Sequence, residues 1–307
     1  MKTGVDNSPK SLDPQTLAKL KGLQLRARRI VEGFISGAHR SPYRGFSVEF
    51  SEHREYAPGD DLRYLDWKVF GRTDKYYLKQ YEDETNLICY LLLDVSESMS
   101  YRGPNSAMSK LEYAQCIAAS LAWLVLQRQD AVGLATFHWE VRDTVSPSSN
   151  ASHLASLLSV MENASPRDKT SVGNVFRELS QKMTKRGIVL IISDLFDEPG
   201  SVLSGLRHLR HRQHDVAVLQ LLDPAELQLP FDVPTRFRGM EGAADIAADP
   251  HSIRSGYRAE VDRFLAQIKR GCLDNEIDYR LLTTEQPLDV ALAAFLTSRT
   301  SMTRQSR

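Results

Sequence analysis

Three oxygen-bearing side chains follow a short apolar run at alternate positions. The run Cys89–Leu93 leads directly into Asp94, Ser96 and Ser98. Such a short, apolar run predicts a buried strand of a sheet that is covered on both faces. Asp94 then lies beyond the carboxyl end of that strand, where such sheets bind their ligands. Oxygens at i, i+2 and i+4 of a strand-end loop can converge on one point, which suits a hard cation such as Mg²⁺.

A second interpretation of this segment stays open when it is considered alone. Asp94 would then only end the strand, and Ser96 or Ser98 would cap the helix that follows. Nothing within the segment separates a cap from a metal ligand.

Two distant segments add oxygen ligands at the same edge of the predicted sheet. The polar loop Arg167–Gly173 precedes a helical pattern and offers the Thr170 hydroxyl. A second apolar strand, Gly187–Ser193, leads into Asp194, with Asp197 shortly after it as an alternative ligand. The order Asp-x-Ser-x-Ser, loop Thr and strand-end Asp resembles the metal-ion-dependent adhesion site of von Willebrand factor A domains. This resemblance implies a metal site for Mg²⁺, with Mn²⁺ or Ca²⁺ as alternatives, formed by Asp94, Ser96, Ser98, Thr170 and Asp194.

Composition excludes several classes of protein. The chain has 307 residues with 39 basic and 39 acidic side chains, and this balance argues against a dedicated nucleic-acid binder. Three cysteines without a C-x-x-C pair indicate reduced core thiols and a reducing compartment. No signal-peptide core and no apolar run of about 18 residues is present. We therefore expect a cytoplasmic protein without a membrane span.

Organisation changes along the chain. We expect disorder over residues 1–10 and 298–307, which are polar. Residues 11–86 are predicted to form an amphipathic basic helix, at 11–36, and then a small β subdomain. The helix is expected to pack on its own domain, although a membrane surface or a partner protein could also take its apolar stripe.

Residues 87–297 alternate strands and helices, which predicts an α/β fold with a doubly wound, mostly parallel six-stranded sheet of Rossmann type. The predicted strands lie near 87–93, 131–137, 140–145, 188–193, 215–222 and 277–283. The predicted helices lie near 106–128, 150–162, 172–185, 199–212, 250–274 and 287–297. The third strand follows its neighbour too closely for a crossover helix and should be an antiparallel edge. The topology is similar to that of von Willebrand A domains, for which we expect strand order 3-2-1-4-5-6 and a surface loop or hairpin at 235–248.

A second resemblance lies upstream of the predicted sheet. Its segments are Ser41–Phe50, Arg54–Arg63, Tyr64–Lys68 and Arg72. They resemble the signature of the bacterial family catalogued as domain of unknown function 58, with Ser47 where a glycine is frequent. The block Arg54–Arg72 could be a docking surface or a brace for the metal loop, and equally a polar network that fixes the subdomain.

These resemblances imply a metal-dependent protein-interaction module and not an enzyme. A partner protein would present an Asp or Glu to the metal. Relatives of this kind act with MoxR-type AAA+ ATPases, so such an ATPase or its client is the expected partner. An alternative is a phosphatase of the haloacid dehalogenase type with Asp94 as nucleophile. That chemistry requires a general acid two residues later, where this chain has Ser96.

Overall fold

The computed structural model describes residues 14–18, 20–38, 54–55, 77–78, 87–166, 172–240 and 244–305. The chain forms two compact units, one of residues 1–38 with 87–307 and one of residues 39–86. The described part of the smaller unit is an antiparallel pair, β1 (Arg54–Glu55) and β2 (Tyr77–Leu78). Most of the upstream signature block therefore lies outside the described residues.

A six-stranded sheet forms the centre of the larger unit. Its strands are β3 (Ile88–Asp94), β4 (Ala131–Phe137), β5 (Val141–Ser148), β6 (Ile188–Ser193), β7 (Asp215–Leu222) and β10 (Asp278–Thr283). Their order is β10-β7-β6-β3-β4-β5, and β5 alone in this sheet pairs antiparallel. This is the predicted order 3-2-1-4-5-6, and the von Willebrand A-like fold is confirmed. The predicted surface hairpin is formed by β8 (Thr235–Phe237) and β9 (Ile246–Ala248).

Helices cover both faces of the sheet. The described helices are α1 (Pro14–Ala18), α2 (Leu23–Ala38), α3 (Lys110–Gln127), α4 (His153–Asn163), α5 (Val172–Lys182), α6 (Pro199–His211), α7 (Pro224–Gln228), α8 (Pro250–Asp274) and α9 (Leu288–Gln305). Alternate residues of a strand face opposite sides, so Leu91 and Leu93 pack in one core and Leu92 in the other. The first core includes residues of α2, α3, α4 and α9, and the second includes residues of α5, α6 and α8. No helix in the described ranges has the length and apolar character that crossing a bilayer requires.

Two predicted boundaries need correction. The N-terminal helix is broken into α1 and α2 near Gly22, whose φ of 88° is favourable for glycine alone. Both helices belong to the unit of the sheet, where Leu17, Leu23, Ala27 and Ile30 are buried in its core, and not with residues 39–86. At the other end, α9 continues to Gln305, beyond the tail boundary predicted at 298, because no proline or glycine interrupts its sequence.

Candidate metal centre

The first group of predicted ligands lies at the carboxyl end of the central strand. Asp94 is the last residue of β3, which is flanked by β4 on one side and β6 on the other. The Val95 amide donates to the Phe137 carbonyl at 2.7 Å, so the chain stays attached to β4 one residue beyond the strand. It then turns through a 3-10 helix at Glu97–Ser100. Ser96 precedes this helix, yet no side-chain capping bond forms there, so the structure does not support the capping interpretation.

Three predicted ligands are brought together at this point. The Ser96 amide donates to Asp94 Oδ1 at 2.8 Å, and the hydroxyl oxygens of Ser96 and Ser98 lie 3.1 Å apart. The Ser193 hydroxyl, from the end of β6, donates to Asp94 Oδ2 at 2.5 Å. Asp94, Ser96 and Ser193 are all fully buried, and Ser98 is nearly so. The result is a compact group of oxygens below the protein surface.

The electrostatics of Asp94 are unusual for a carboxylate. Burial, followed by repulsion from Asp194, raises the pKa of Asp94 from its ordinary value of 3.8 to about 7, against hydrogen bonds from Ser193 and Ser96. Within the described ranges no basic side chain forms an ion pair with it. Asp94 therefore ionises only near neutral pH, well above the ordinary range of a carboxyl group, unless a cation compensates its charge.

Asp194 has a different environment, dominated by a buried lysine. Its Oδ2 accepts from Lys110 Nζ at 2.8 Å, and its Oδ1 accepts from the Phe196 amide at 3.1 Å. Lys110 Nζ also donates to Glu226 Oε1 at 2.6 Å and lies 4.8 Å from the centre of the Phe196 ring. The side chains of Lys110 and Asp194 are both 0% exposed. Although burial acts to lower it, the two carboxylates raise the pKa of Lys110 above its ordinary value, so this side chain is an ammonium.

Two further candidate ligands were predicted, Thr170 and the alternative Asp197. Thr170 lies outside the described residues, and the chain resumes at Val172. The Asp197 carboxylate accepts from the Val172 amide at 2.9 Å and from the Glu198 amide at 2.7 Å. Asp197 therefore anchors the start of α5, and both of its oxygens are engaged by backbone donors.

Sequence analysis missed two acidic residues at the same edge. Asp223 follows β7, and its Oδ2 accepts from the Gly103 amide, the Ser106 hydroxyl and the Thr284 hydroxyl at 3.1, 2.5 and 2.9 Å. Asp223 and Glu226 also form a capping box at the start of α7. The rule that identified Asp94 and Asp194, a carboxylate directly after an apolar strand, would also have identified Asp223. The Asp-Pro-x-Glu spacing is a sequence signal for the capping box.

The donor set fits a hard divalent cation. Asp94, Asp194 and Glu226 are buried or nearly so, and the single ammonium of Lys110 is shared by two of them. Oxygen-only donors with excess negative charge suit Mg²⁺, which retains several waters. In the ranges that the structure describes, no three His, Cys, Asp or Glu side chains are grouped as a metal cluster. A bound ion would therefore depend on the serine hydroxyls and on water as well as on Asp94.

Comparisons with known proteins find several similar chains and one family model. Uncharacterized proteins of Mycobacterium bovis and Mycobacterium tuberculosis are 27% identical over 221 residues, which is 71% of this chain and 68% of theirs. BatB of Bacteroides thetaiotaomicron aligns with a TM-score of 0.48 at 16% identity, over 70% of this chain and 99% of its own. The SpRpn10 VWA domain aligns with a TM-score of 0.39 at 10% identity, over 66% and 92%. Residues 52–266 match the family model described as protein of unknown function DUF58. This match spans more than half of the sequence, and the chain belongs to the DUF58 family.

Proposed function

We propose that this chain is a protein-interaction module that depends on a metal ion bound at the carboxyl ends of the strands of its sheet. Asp94, Ser96 and Ser98 would hold Mg²⁺, or Mn²⁺ or Ca²⁺ in its place, with Thr170 and Asp194 contributing directly or through water. The bound ion supplies the positive charge that an acidic partner side chain needs. A partner Asp or Glu would complete the coordination, so that affinity for the partner requires the metal.

The observation that carries this proposal is the state of Asp94. A buried carboxylate without an ion-pair partner is costly, and proteins ordinarily compensate such a group with a cation or a proton. The hydroxyl oxygens of Ser96 and Ser98, 3.1 Å apart, provide further ligands beside it. A divalent cation would stabilise this arrangement, which apolar packing alone does not explain.

The surface around the site supports a protein partner. Trp139 is 50% exposed. It lies two residues after Phe137, which is the register partner of Asp94. Exposed tryptophans beside a polar anchor are typical of the residues that dominate binding energy at protein interfaces. The family signature extends the proposal to a MoxR-type AAA+ ATPase, or a client of that ATPase, as the partner.

Affinity capture tests the partner directly. The tagged chain is incubated with extract of its own cells in Mg²⁺ or in EDTA, and Asp94→Asn is run beside it. We expect a AAA+ ATPase to be retained by the wild type in Mg²⁺ and lost in the other conditions, because only the loaded site can hold its carboxylate. Asp130→Asn is the matched control, because Asp130 lies at the amino ends of the strands, and this variant should retain the ATPase. Equal capture of the ATPase in Mg²⁺ and in EDTA, and by Asp94→Asn and the wild type, would contradict the proposal.

A further inference from the structure

We infer that the Lys110 ammonium competes with Mg²⁺ for the carboxylate of Asp194. This competition weakens the binding of Mg²⁺ at the carboxyl ends of the strands. The inference rests on the proposed function and concerns its regulation. Lys110 would act as a positioning residue, since it contacts Asp194 and no predicted ligand of the first group.

Both oxygens of Asp194 are already engaged. Lys110 Nζ donates to Oδ2 at 2.8 Å and the Phe196 amide donates to Oδ1 at 3.1 Å. A metal ion that bound Asp194 directly would have to share Oδ2 with the ammonium or Oδ1 with the Phe196 amide, and in either position the nearby ammonium would repel it. Asp194 therefore acts on the metal mainly through its charge, and Lys110 cancels much of that charge.

The ammonium is held firmly in this position. Lys110 is the first residue of α3, directly after the Ser109 cap, and its amide donates to the Tyr101 carbonyl at 3.0 Å. Its side chain is 0% exposed and its Nζ lies 4.8 Å from the centre of the Phe196 ring. Because the side chain is buried and paired with both carboxylates, its charge remains next to Asp194.

Glu226 is the second carboxylate that is paired with this ammonium. Glu226 Oε1 lies 2.6 Å from Lys110 Nζ, and Glu226 Oε2 accepts from the Asp223 amide at 2.7 Å. The capping box holds Glu226 in place. The ammonium therefore forms ion pairs with two carboxylates, Asp194 and Glu226. Asp194 and Glu226 together with Lys110 carry one net negative charge. Removing the carboxylate of Glu226 would leave the ammonium entirely to Asp194, whereas removing the ammonium would leave Asp194 free for the metal.

Titration calorimetry with MgCl₂ at pH 8 tests the inference on the full chain. Lys110→Met is expected to bind Mg²⁺ about tenfold more tightly than the wild type, which is the scale of one unit charge at an intermediate effective dielectric. Glu226→Gln is expected to bind it more weakly. Lys182→Met removes a lysine that is paired with Glu178 on the exposed surface, and it should leave the affinity unchanged.

The outcomes separate this inference from the function on which it rests. A wild type that binds no Mg²⁺ overturns the proposed metal site itself. A wild type that binds, together with a Lys110→Met variant of equal or lower affinity, overturns the competitor role alone. Should Lys110→Met fail to fold, Glu226→Gln decides, and an unchanged or higher affinity in that variant refutes the inference. A purely structural lysine would not produce these opposite shifts.

Discussion

Replacing Lys110 by methionine is expected to lower the free energy of unfolding of the metal-free protein by about 3–5 kcal/mol. Methionine keeps most of the apolar volume but leaves Asp194 and Glu226 without their shared ammonium. The side chain of Asp194 is 0% exposed and that of Glu226 is 15% exposed, so water reaches only the second of the two carboxylates and replaces the lost partner only in part. Urea denaturation in EDTA measures the change.

Two variants control this prediction. Lys182→Met breaks an exposed pair with Glu178 and should change stability by less than about 0.5 kcal/mol. Combining Lys110→Met with Asp194→Asn and Glu226→Gln removes the uncompensated charges and should recover much of the loss. A Lys110→Met protein within about 1 kcal/mol of the wild type would contradict the assignment of Lys110, Asp194 and Glu226 as a buried charge triad.

Replacing Asp94 by asparagine should stabilise the metal-free protein relative to the wild type by an amount that grows as pH rises from about 4 to about 7. The pKa of Asp94 is raised from 3.8 to about 7 by burial and by Asp194, so in that window the folded state keeps a proton that the unfolded state has lost. The wild type is therefore expected to lose stability from this group as pH rises between those values, on the order of a few kcal/mol in total. Asparagine does not titrate and escapes this loss.

The measurement is the difference in unfolding free energy between the Asp94→Asn variant and the wild type, in EDTA, from pH 4 to pH 8. Groups that do not interact with Asp94 titrate in the same way in both proteins and cancel in the difference. The advantage of the variant should grow with pH and level off above about pH 7. A difference that is flat with pH would mean that Asp94 ionises freely in the folded protein. Saturating Mg²⁺ should reverse the order, because only the wild type would gain stability from the ion.

The strand ends were readable from the sequence because they depend on local pattern. An apolar run followed by a carboxylate gives both the buried strand and the residue at its carboxyl end, so Asp94 and Asp194 fall on neighbouring strands as predicted. The connection between β4 and β5 is too short for a crossover helix, so β5 was predicted to be an antiparallel edge strand, as it is. The alternation of strands and helices predicted a mostly parallel sheet, whereas the strand order was expected from the resemblance to von Willebrand A domains, and the sheet has that order.

The partners of the acidic residues could not be predicted from local sequence pattern. Lys110 and Asp194 are 84 positions apart, and Lys110 and Glu226 are 116 apart. Their contact depends on how α3 and α7 meet the edge of the sheet, which the periodicity of neither helix specifies. A lysine at the start of a helix is ordinarily a solvated residue, so no local signal indicated an ammonium in the interior. The charge state of the site is a property of the tertiary structure.

Calorimetric titration of MgCl₂ into the metal-free wild type and into Asp94→Asn tests the central claim most directly. Asp130→Asn is the matched control, since Asp130 lies at the amino edge of the same sheet and accepts from the Leu87 amide. We expect saturable binding of one Mg²⁺ by the wild type and by Asp130→Asn, and none by Asp94→Asn. Binding that survives in Asp94→Asn, or that is absent from the wild type, would contradict a metal site at this edge of the sheet.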